Sequence, residues 1–298
     1  KEDIYFGGSK FNPSKVFLQT DSIYREKNIQ TIANDSITED VVALIADLNN
    51  DQKNDVIIGT GGADFYNKMT PLLDTYYTQS SVGFEKQALP AYFENAAVIK
   101  AADYDNDGDL DVFVGNNTVS NNFGAMPNSY ILKNENGKFS ILENQSFQNT
   151  GMITDAIWED YNTDGFVDLI LVGEWMTPKF FKNTRGNFTE EKLIDATLTG
   201  LWQQIAAFDI DKDGDMDLIA GNLGENFKYK SSQEFPFELH YGDFDSNGDK
   251  DIVLSYYNYG KQYPLRGFSC SSQQIPEIAN KFKEYDVSSR RSLKRFAY

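Results

Sequence analysis

One nine-residue pattern recurs five times along this chain, and no other feature limits its folding as tightly. The copies read Asp47-Leu-Asn49-Asn-Asp51-Gln-Lys-Asn-Asp55, Asp103-Tyr-Asp105-Asn-Asp107-Gly-Asp-Leu-Asp111, Asp160-Tyr-Asn162-Thr-Asp164-Gly-Phe-Val-Asp168, Asp209-Ile-Asp211-Lys-Asp213-Gly-Asp-Met-Asp217 and Asp243-Phe-Asp245-Ser-Asn247-Gly-Asp-Lys-Asp251. Side-chain oxygens at positions 1, 3 and 5 fall on one side of a tight loop. Position 7 can offer a backbone carbonyl, and the Asp at position 9 closes the cage. That set suits a hard cation taking about six to eight oxygens, which makes Ca²⁺ the expected cofactor, at up to five structural sites ligated by positions 1, 3, 5 and 9. Zinc or copper would ask for Cys and His, of which the chain has only Cys270 and His240.

Solvated acidic turns are the competing reading of any one window. Three or four carboxylates crowded together repel by about 1 kcal/mol per pair even in high dielectric, so a fivefold recurrence points to a bound counter-charge. Lys plus Arg total 27 against 45 Asp plus Glu, for a formal net charge of −18. Much of that acidity therefore reads as ligand chemistry. A surface so acidic repels phosphate backbones and anionic headgroups, which excludes nucleic acid as a partner. No stretch approaches the roughly 18 consecutive apolar residues of a membrane span.

An EF-hand shares the early positions but requires Glu at position 12 and flanking helices. Position 12 here is Ile58, Val114, Leu171, Ala220 and Leu254, and the flanks are short β-branched runs such as Val41-Val-Ala-Leu-Ile-Ala46 and Val56-Ile-Ile58. Such runs are strands, so each window is expected at the tip of a β-hairpin. A second repeat lies between the windows, an aromatic strand, a turn and another strand: Lys15-Val-Phe-Leu-Gln to Ile23-Tyr24, Tyr76-Tyr77 to Gly83-Phe84, Tyr130 to Phe139 around Asn136-Gly137, and Lys179 to Phe188. Asn136-Gly137 is a strong type I′ turn signal. Four antiparallel strands per repeat, at nearly even spacing until a much shorter last interval, predict an all-β chain built as a β-propeller of four-stranded blades.

These residues resemble the FG-GAP or VCBS-type propeller repeat of integrin α-subunit heads and of cartilage-acidic-protein-like bacterial surface proteins. The resemblance rests on the Asp windows followed by Asp-apolar-apolar-apolar-Gly, as in Asp111-Val-Phe-Val-Gly115 and Asp217-Leu-Ile-Ala-Gly221. It implies that Asp103, Asp105, Asp107, Asp111 and their counterparts are calcium ligands. The first window departs from the pattern, with Gln52 where Gly is usual, which puts its sharp turn in question.

Asp3-Ile-Tyr-Phe-Gly-Gly8 reads as the second strand of a blade whose window lies upstream, so a longer polypeptide with a ring of about seven blades is expected. Blades are assigned to 1–258, and a turn plus helical segment to 259–298, with Ile275, Ile278, Ala279 and Phe282 on one helical stripe. Arg290, Arg291, Lys294 and Arg295 form the one basic cluster, read as a solvated face or a contact with acidic blades.

Loops joining second to third strands lie opposite the Asp windows, and exposed loops on a rigid scaffold are where recognition resides. Phe65, Tyr66, Asn121, Phe123 and Trp175 are the candidates for ligand binding, while Trp158 and Trp202 are expected in the core. No catalytic constellation emerges: His240 stands in a strand, Cys270 in a Ser-rich stretch, and carboxylates bound to calcium are neither acids nor bases. The expected function is a non-enzymatic, calcium-stabilised, extracytoplasmic module binding glycan or protein partners at a cell surface, as on a bacterial outer membrane or within a larger envelope complex. A calcium-dependent polysaccharide lyase, or another carbohydrate-active propeller enzyme, is the alternative. Weak loops of this kind fill at about 10⁻⁴–10⁻³ M calcium, which places them outside cells.

Overall fold

β-Branched and aromatic runs punctuated by turn residues give antiparallel strands along nearly the whole chain. The computed structural model describes residues 3–62, 68–224 and 227–282. Strands β1 (Ile4–Phe6), β2 (Lys15–Thr20) and β3 (Ile23–Lys27) form a three-stranded sheet, followed by one helical turn, α1 (Gln30–Ala33). Two four-stranded sheets come next: β4 (Glu39–Ala46), β5 (Asp55–Gly61), β6 (Thr75–Gln79) and β7 (Phe84–Gln87), then β8 (Asn95–Ala102), β9 (Asp111–Thr118), β10 (Tyr130–Glu135) and β11 (Lys138–Ile141). A six-stranded sheet joins β12 (Met152–Glu159), β13 (Asp168–Met176), β14 (Lys179–Thr184) and β15 (Asn187–Glu191) to β16 (Gly200–Phe208) and β17 (Asp217–Asn222). The last sheet contains β18 (Glu238–Gly242), β19 (Asp251–Asn258) and β20 (Lys261–Pro264), with helices α2 (Phe268–Gln274) and α3 (Glu277–Lys281) after it.

Each of the five Asp windows joins two strands that are consecutive in the chain and neighbours in one sheet, and the registers Ala46↔Asp55, Ala102↔Asp111, Glu159↔Asp168 and Gly242↔Asp251 close four of them. The Asn136-Gly137 turn has φ of 52° and 80°, the left-handed pair that a type I′ hairpin demands, and Arg185-Gly186 repeats it with 53° and 87°.

The chain divides into two compact units. One spans residues 1–121 and 126–221, the other 122–125 and 222–298. In the first unit β5, β9 and β13 are buried on both faces along most of their length, which is why their sequences are continuous apolar runs and do not alternate. Val112 and Val114 of β9 pack with Ile57, Tyr76 and Ile99, while Phe113 between them packs with Ile153, Leu169, Leu171 and Phe181 of the next sheet. Ile170 and Val172 in turn meet Phe180, Ile205, Trp202 and Leu218. Trp158 is partly buried against the Phe113 cluster, as expected of a core residue. Gly115 ends one run because a Cβ there would stand 2.6 Å from Val98 Cγ1 and 2.9 Å from Ile153 Cγ2. Neighbouring sheets approach too closely for any side chain.

In the second unit the helical stripe is not one helix. Pro276 disfavours the α conformation at the residue before it, and Ile275 is extended at φ −124°, ψ 90°, so α2 stops and α3 restarts. Ile275, Ile278 and Phe282 nevertheless share one apolar cluster with Phe244, Val253 and Phe268. The strand pattern also continues past 258, since Tyr259 and Gly260 form the turn of a hairpin that pairs β19 with β20. The basic residues Arg290, Arg291, Lys294 and Arg295 lie outside the described residues.

One acidic group outside the windows gives a pH prediction. Asp74, just before β6, accepts the Thr60 N–H at 2.9 Å and the Tyr130 hydroxyl, and burial pushes its carboxyl up to about 6. A carboxyl raised in the folded state holds protons more tightly there, so its contribution is full below the unfolded value and is lost as pH rises through about 6. Asp74→Asn can still accept from Thr60 while its amide donates to the Tyr130 oxygen. It is expected to raise stability by about 1–2 kcal/mol near pH 8 and by almost nothing near pH 4. Urea melts at both pH values check this, and a gain independent of pH would refute it.

Candidate metal centre

Each Asp window is shaped first by its own side chains. In four windows the position 1 carboxylate accepts the N–H groups of positions 5 and 6, as where Asp107 and Gly108 donate to Asp103, both at 3.0 Å, and Asp164 and Gly165 donate to Asp160 at 3.0 and 2.8 Å; in the remaining one, Asp209 accepts from Lys212 and Gly214. Position 5 accepts from position 7, as in Asp109 N–H to Asp107 at 2.9 Å and Asp249 N–H to Asn247 at 2.7 Å. Positions 4 and 6 are left-handed, with φ of 60° and 94° at Asn106 and Gly108.

The first window takes the same turn despite its Gln. Gln52 stands at φ 66° and donates to Asp47 at 2.7 Å, while Asp51 N–H donates to Asp47 at 3.1 Å. An L side chain held left-handed costs about 1–2 kcal/mol, part of which glycine returns through a freer unfolded chain. Gln52→Gly is therefore expected to stabilise by about 0.5–1 kcal/mol in a denaturant melt, and a loss would show that the Gln side chain matters.

Position 9 is the hub. Asp55, Asp111 and Asp168 are each 0% exposed. Their Oδ1 atoms accept backbone N–H groups of the third strand, from Gln79 at 2.8 Å, Asn134 at 2.8 Å and Asn183 at 2.7 Å. Oδ2 accepts from position 2 in the first two windows, Leu48 at 3.3 Å and Tyr104 at 3.4 Å. In the third it accepts from Asn162 Nδ2 at 2.7 Å. Burial pushes the Asp111 carboxyl up to about 7 and that of Asp168 to about 6, and the neighbouring carboxylates of each window add to the rise.

The donors left over converge. Carboxylate oxygens of Asp103, Asp105 and Asp111 all lie within 4.8 Å of one another, as do those of Asp209, Asp211 and Asp217 and those of Asp243, Asp245 and Asp251. In the first and third windows an amide, Asn49 or Asn162, stands at position 3. Asp105 Oδ1 and Asn162 Oδ1 are buried with no hydrogen-bond donor. A buried oxygen so left costs about 1–3 kcal/mol, and both belong to position 3 of a window. An oxygen-seeking dication fits this donor set: it would satisfy the orphaned oxygens and hold the raised carboxyls in their charged form. Lys133 Nζ lies 2.7 Å from Asp105 Oδ2 and offsets part of that window's charge.

Sequence reasoning missed two buried amides. Asn134 and Asn183 are 0% exposed. Asn134 Nδ2 donates to Leu110 O at 3.0 Å in its own sheet and to Leu48 O at 2.8 Å in the preceding one; Asn183 repeats this with Val167 O at 2.9 Å and Tyr104 O at 2.7 Å. Each amide oxygen accepts the N–H of the turn glycine, Gly137 or Gly186. The signal was the repeated Lys-Asn three residues before a turn Gly. Adjacent windows also touch, through Asn50 Nδ2 to Asp109 Oδ1 at 2.6 Å and Asn106 Nδ2 to Gly165 O at 3.1 Å.

Comparison with known families puts a name on the repeat. The pattern described as FG-GAP-like repeat matches residues 47–114, 103–171 and 160–220, together more than half of the chain. The chain belongs to the FG-GAP-like repeat family. The three FG-GAP matches each run from one Asp window through the next second strand, so the family's repeat and the observed sheets share one period. No curated protein matches the chain. Among solved structures, a chain from Bifidobacterium bifidum s17 described as a "putative exo-beta-1,3-galactanase" is similar at 13% identity, with 89% of this chain and 87% of that one covered and a TM-score of 0.39. A likeness at that level carries no argument about activity.

The recognition candidates fall in different parts of the chain. Phe65 and Tyr66 lie outside the described residues. Trp175 does not stand on a loop: it sits at a bulge near the end of β13, left-handed at φ 51°, where Glu174 and Met176 pair with β16. Asn121 ends a stretch of the first unit, whereas Phe123 belongs to the second. Trp202 is partly buried, its Nε1–H donating to Met176 O at 3.1 Å. His240 in β18 shares Ser255 Oγ, 3.0 Å from its Nε2, with Gln262 and Glu238. Glu238 approaches that same nitrogen, at 3.6 Å, and a triad would need it on the opposite one. Cys270 is exposed in α2.

Proposed function

We propose that this FG-GAP repeat chain is a calcium-stabilised β-propeller module that works outside the cytoplasm, presenting a rigid scaffold to a glycan or protein partner at a cell surface. Asp47, Asn49, Asp51 and Asp55, and the corresponding residues of the other four windows, would hold Ca²⁺. The ion would supply charge neutralisation and cross-bracing, with no chemistry on a substrate. The orphaned position 3 oxygens, Asp105 Oδ1 and Asn162 Oδ1, carry this reading, because a hard cation would satisfy buried oxygens that no donor reaches. The hydrogen bonds that preform each window lower the ordering cost of binding. No helix among the described residues is long and apolar enough to cross a membrane.

The test is calcium titration of chelator-treated chain by calorimetry, paired with the melting experiment argued at the end of the Discussion. Several saturable sites filling between about 10⁻⁵ and 10⁻³ M support the reading, and heats no larger than those of dilution overturn it.

A further inference from the structure

The sheets of β4–β7, β8–β11 and β12–β15 place their third strand on the second in one way, and among the described residues the pair β16–β17 has no such strand. In the three complete sheets the residues after the position 9 Asp pair with two consecutive apolar residues: Val56 and Ile57 with Tyr77 and Tyr76, Val112 and Phe113 with Leu132 and Ile131, Leu169 and Ile170 with Phe181 and Phe180. Two residues beyond that apolar pair, the N–H of Gln79, Asn134 or Asn183 reaches Oδ1 of the position 9 Asp. Two of these strands set a lysine between. Lys133 pairs with Asp105 at 2.7 Å, and Lys182 with Asp164 at 3.7 Å.

Leu218 and Ile219 occupy the matching places on β17. Among the described residues β17 pairs with β16 alone, and no strand lies between Asn222 and Glu238. Ile57, Phe113 and Ile170 are each 0% exposed, yet their counterpart Ile219 is 52% exposed, and Phe208 at the end of β16 is 62% exposed. Asp217 accepts its position 2 N–H, from Ile210 at 2.9 Å, on Oδ2. Among the described residues its Oδ1 has no third-strand donor, and no lysine pairs with Asp211 or Asp213 as Lys133 and Lys182 do in their windows.

We propose that the outer side of β17 receives an extended segment of another polypeptide by antiparallel strand addition, and that the segment's chemistry is two consecutive apolar residues, a Lys or Arg, then a residue donating its backbone N–H to Asp217. Main-chain pairing supplies the affinity, and the side chains supply the choice. The apolar pair covers Ile219 and the Leu218 side, and the cation answers the acidic window of Asp209, Asp211 and Asp213. A second folded copy does not fit, because this chain's own segments of that kind, Ile131–Asn134 and Phe180–Asn183, are already buried in their sheets. Two copies would also bring formal charges of −18 together. The inference rests on strand register and holds whether or not the windows bind calcium.

The experiment adds a fluorescein-labelled peptide copying residues 179–191 of this chain to the full chain in millimolar calcium and follows anisotropy. Saturable binding is expected, weakened about tenfold by Lys182→Glu in the peptide and about tenfold by Ile219→Lys in the protein. Ile219 is exposed, so that variant should keep its far-ultraviolet circular dichroism. A scrambled peptide binding equally well, no saturation up to millimolar peptide, or binding indifferent to Ile219→Lys would overturn the proposal. Sedimentation as a dimer that Ile219→Lys dissociates would replace the foreign strand with a second copy.

Discussion

Asp111→Ala is expected to remove about 3–4 kcal/mol of folding stability, more than any substitution of an exposed window residue, because two buried N–H donors lose their acceptor and a cavity opens behind them. The carboxylate is fully buried and joins three segments: the second strand that carries it, the third strand through Asn134 N–H and the window through Tyr104 N–H. Loosening Asn134 also loosens its amide bonds to Leu110 and Leu48, so the damage spreads into the preceding sheet. Asp111→Asn separates shape from charge. Its oxygen can still accept from Asn134, while its NH₂ must face the Tyr104 N–H, so a cost of about 1–2 kcal/mol is expected. Denaturant titration of the three proteins gives the ranking. An alanine variant losing less than about 1 kcal/mol would mean that water replaces the carboxylate, and position 9 would no longer be the hub of the window.

From the sequence, position 9 reads as a ligand; the structure shows it as a latch. Spacing alone placed Asp55, Asp111 and Asp168 at the closing position, because the pattern repeats in register and its flanks read as strands. The same spacing does not show that Oδ1 of each is committed to a backbone donor, since that donor lies up to two dozen residues away on another strand. Asn134 and Asn183 escaped for a related reason: a Lys-Asn before a turn looks like ordinary polar strand-end sequence until the neighbouring sheet supplies the carbonyls of Leu48 and Tyr104. Local rules worked where local chemistry decides, as in the Asn136-Gly137 turn. They fail at Ile275, where apolar periodicity predicts one helix and the proline that follows interrupts it. Trp175 reads as a loop residue from the sequence, whereas pairing with β16 carries β13 through to Met176. Gln52 is the opposite case: the expected strain is present, and the turn forms because Asp47 still caps it.

Calcium should matter most to stability of any solution component. A site filled a hundredfold above its dissociation constant adds about 2.7 kcal/mol, and several sites add in proportion where they are independent. Four of the five windows lie in the first unit. In millimolar calcium its transition is therefore expected about ten degrees or more above that in excess chelator. Magnesium should recover little of that shift, because it demands a tighter octahedron and sheds water reluctantly. Asp105→Ala should remove one site's share and leave the rest, whereas Asp111→Ala should lower the transition even in chelator, because the latch is independent of the ion. This pair of variants distinguishes the two roles that each window combines. Equal transitions with and without calcium would mean that hydrogen bonds from Asp103, Asp160 and their counterparts suffice to hold the turns, and the buried oxygen of Asp105 would then need a ligand other than a divalent cation.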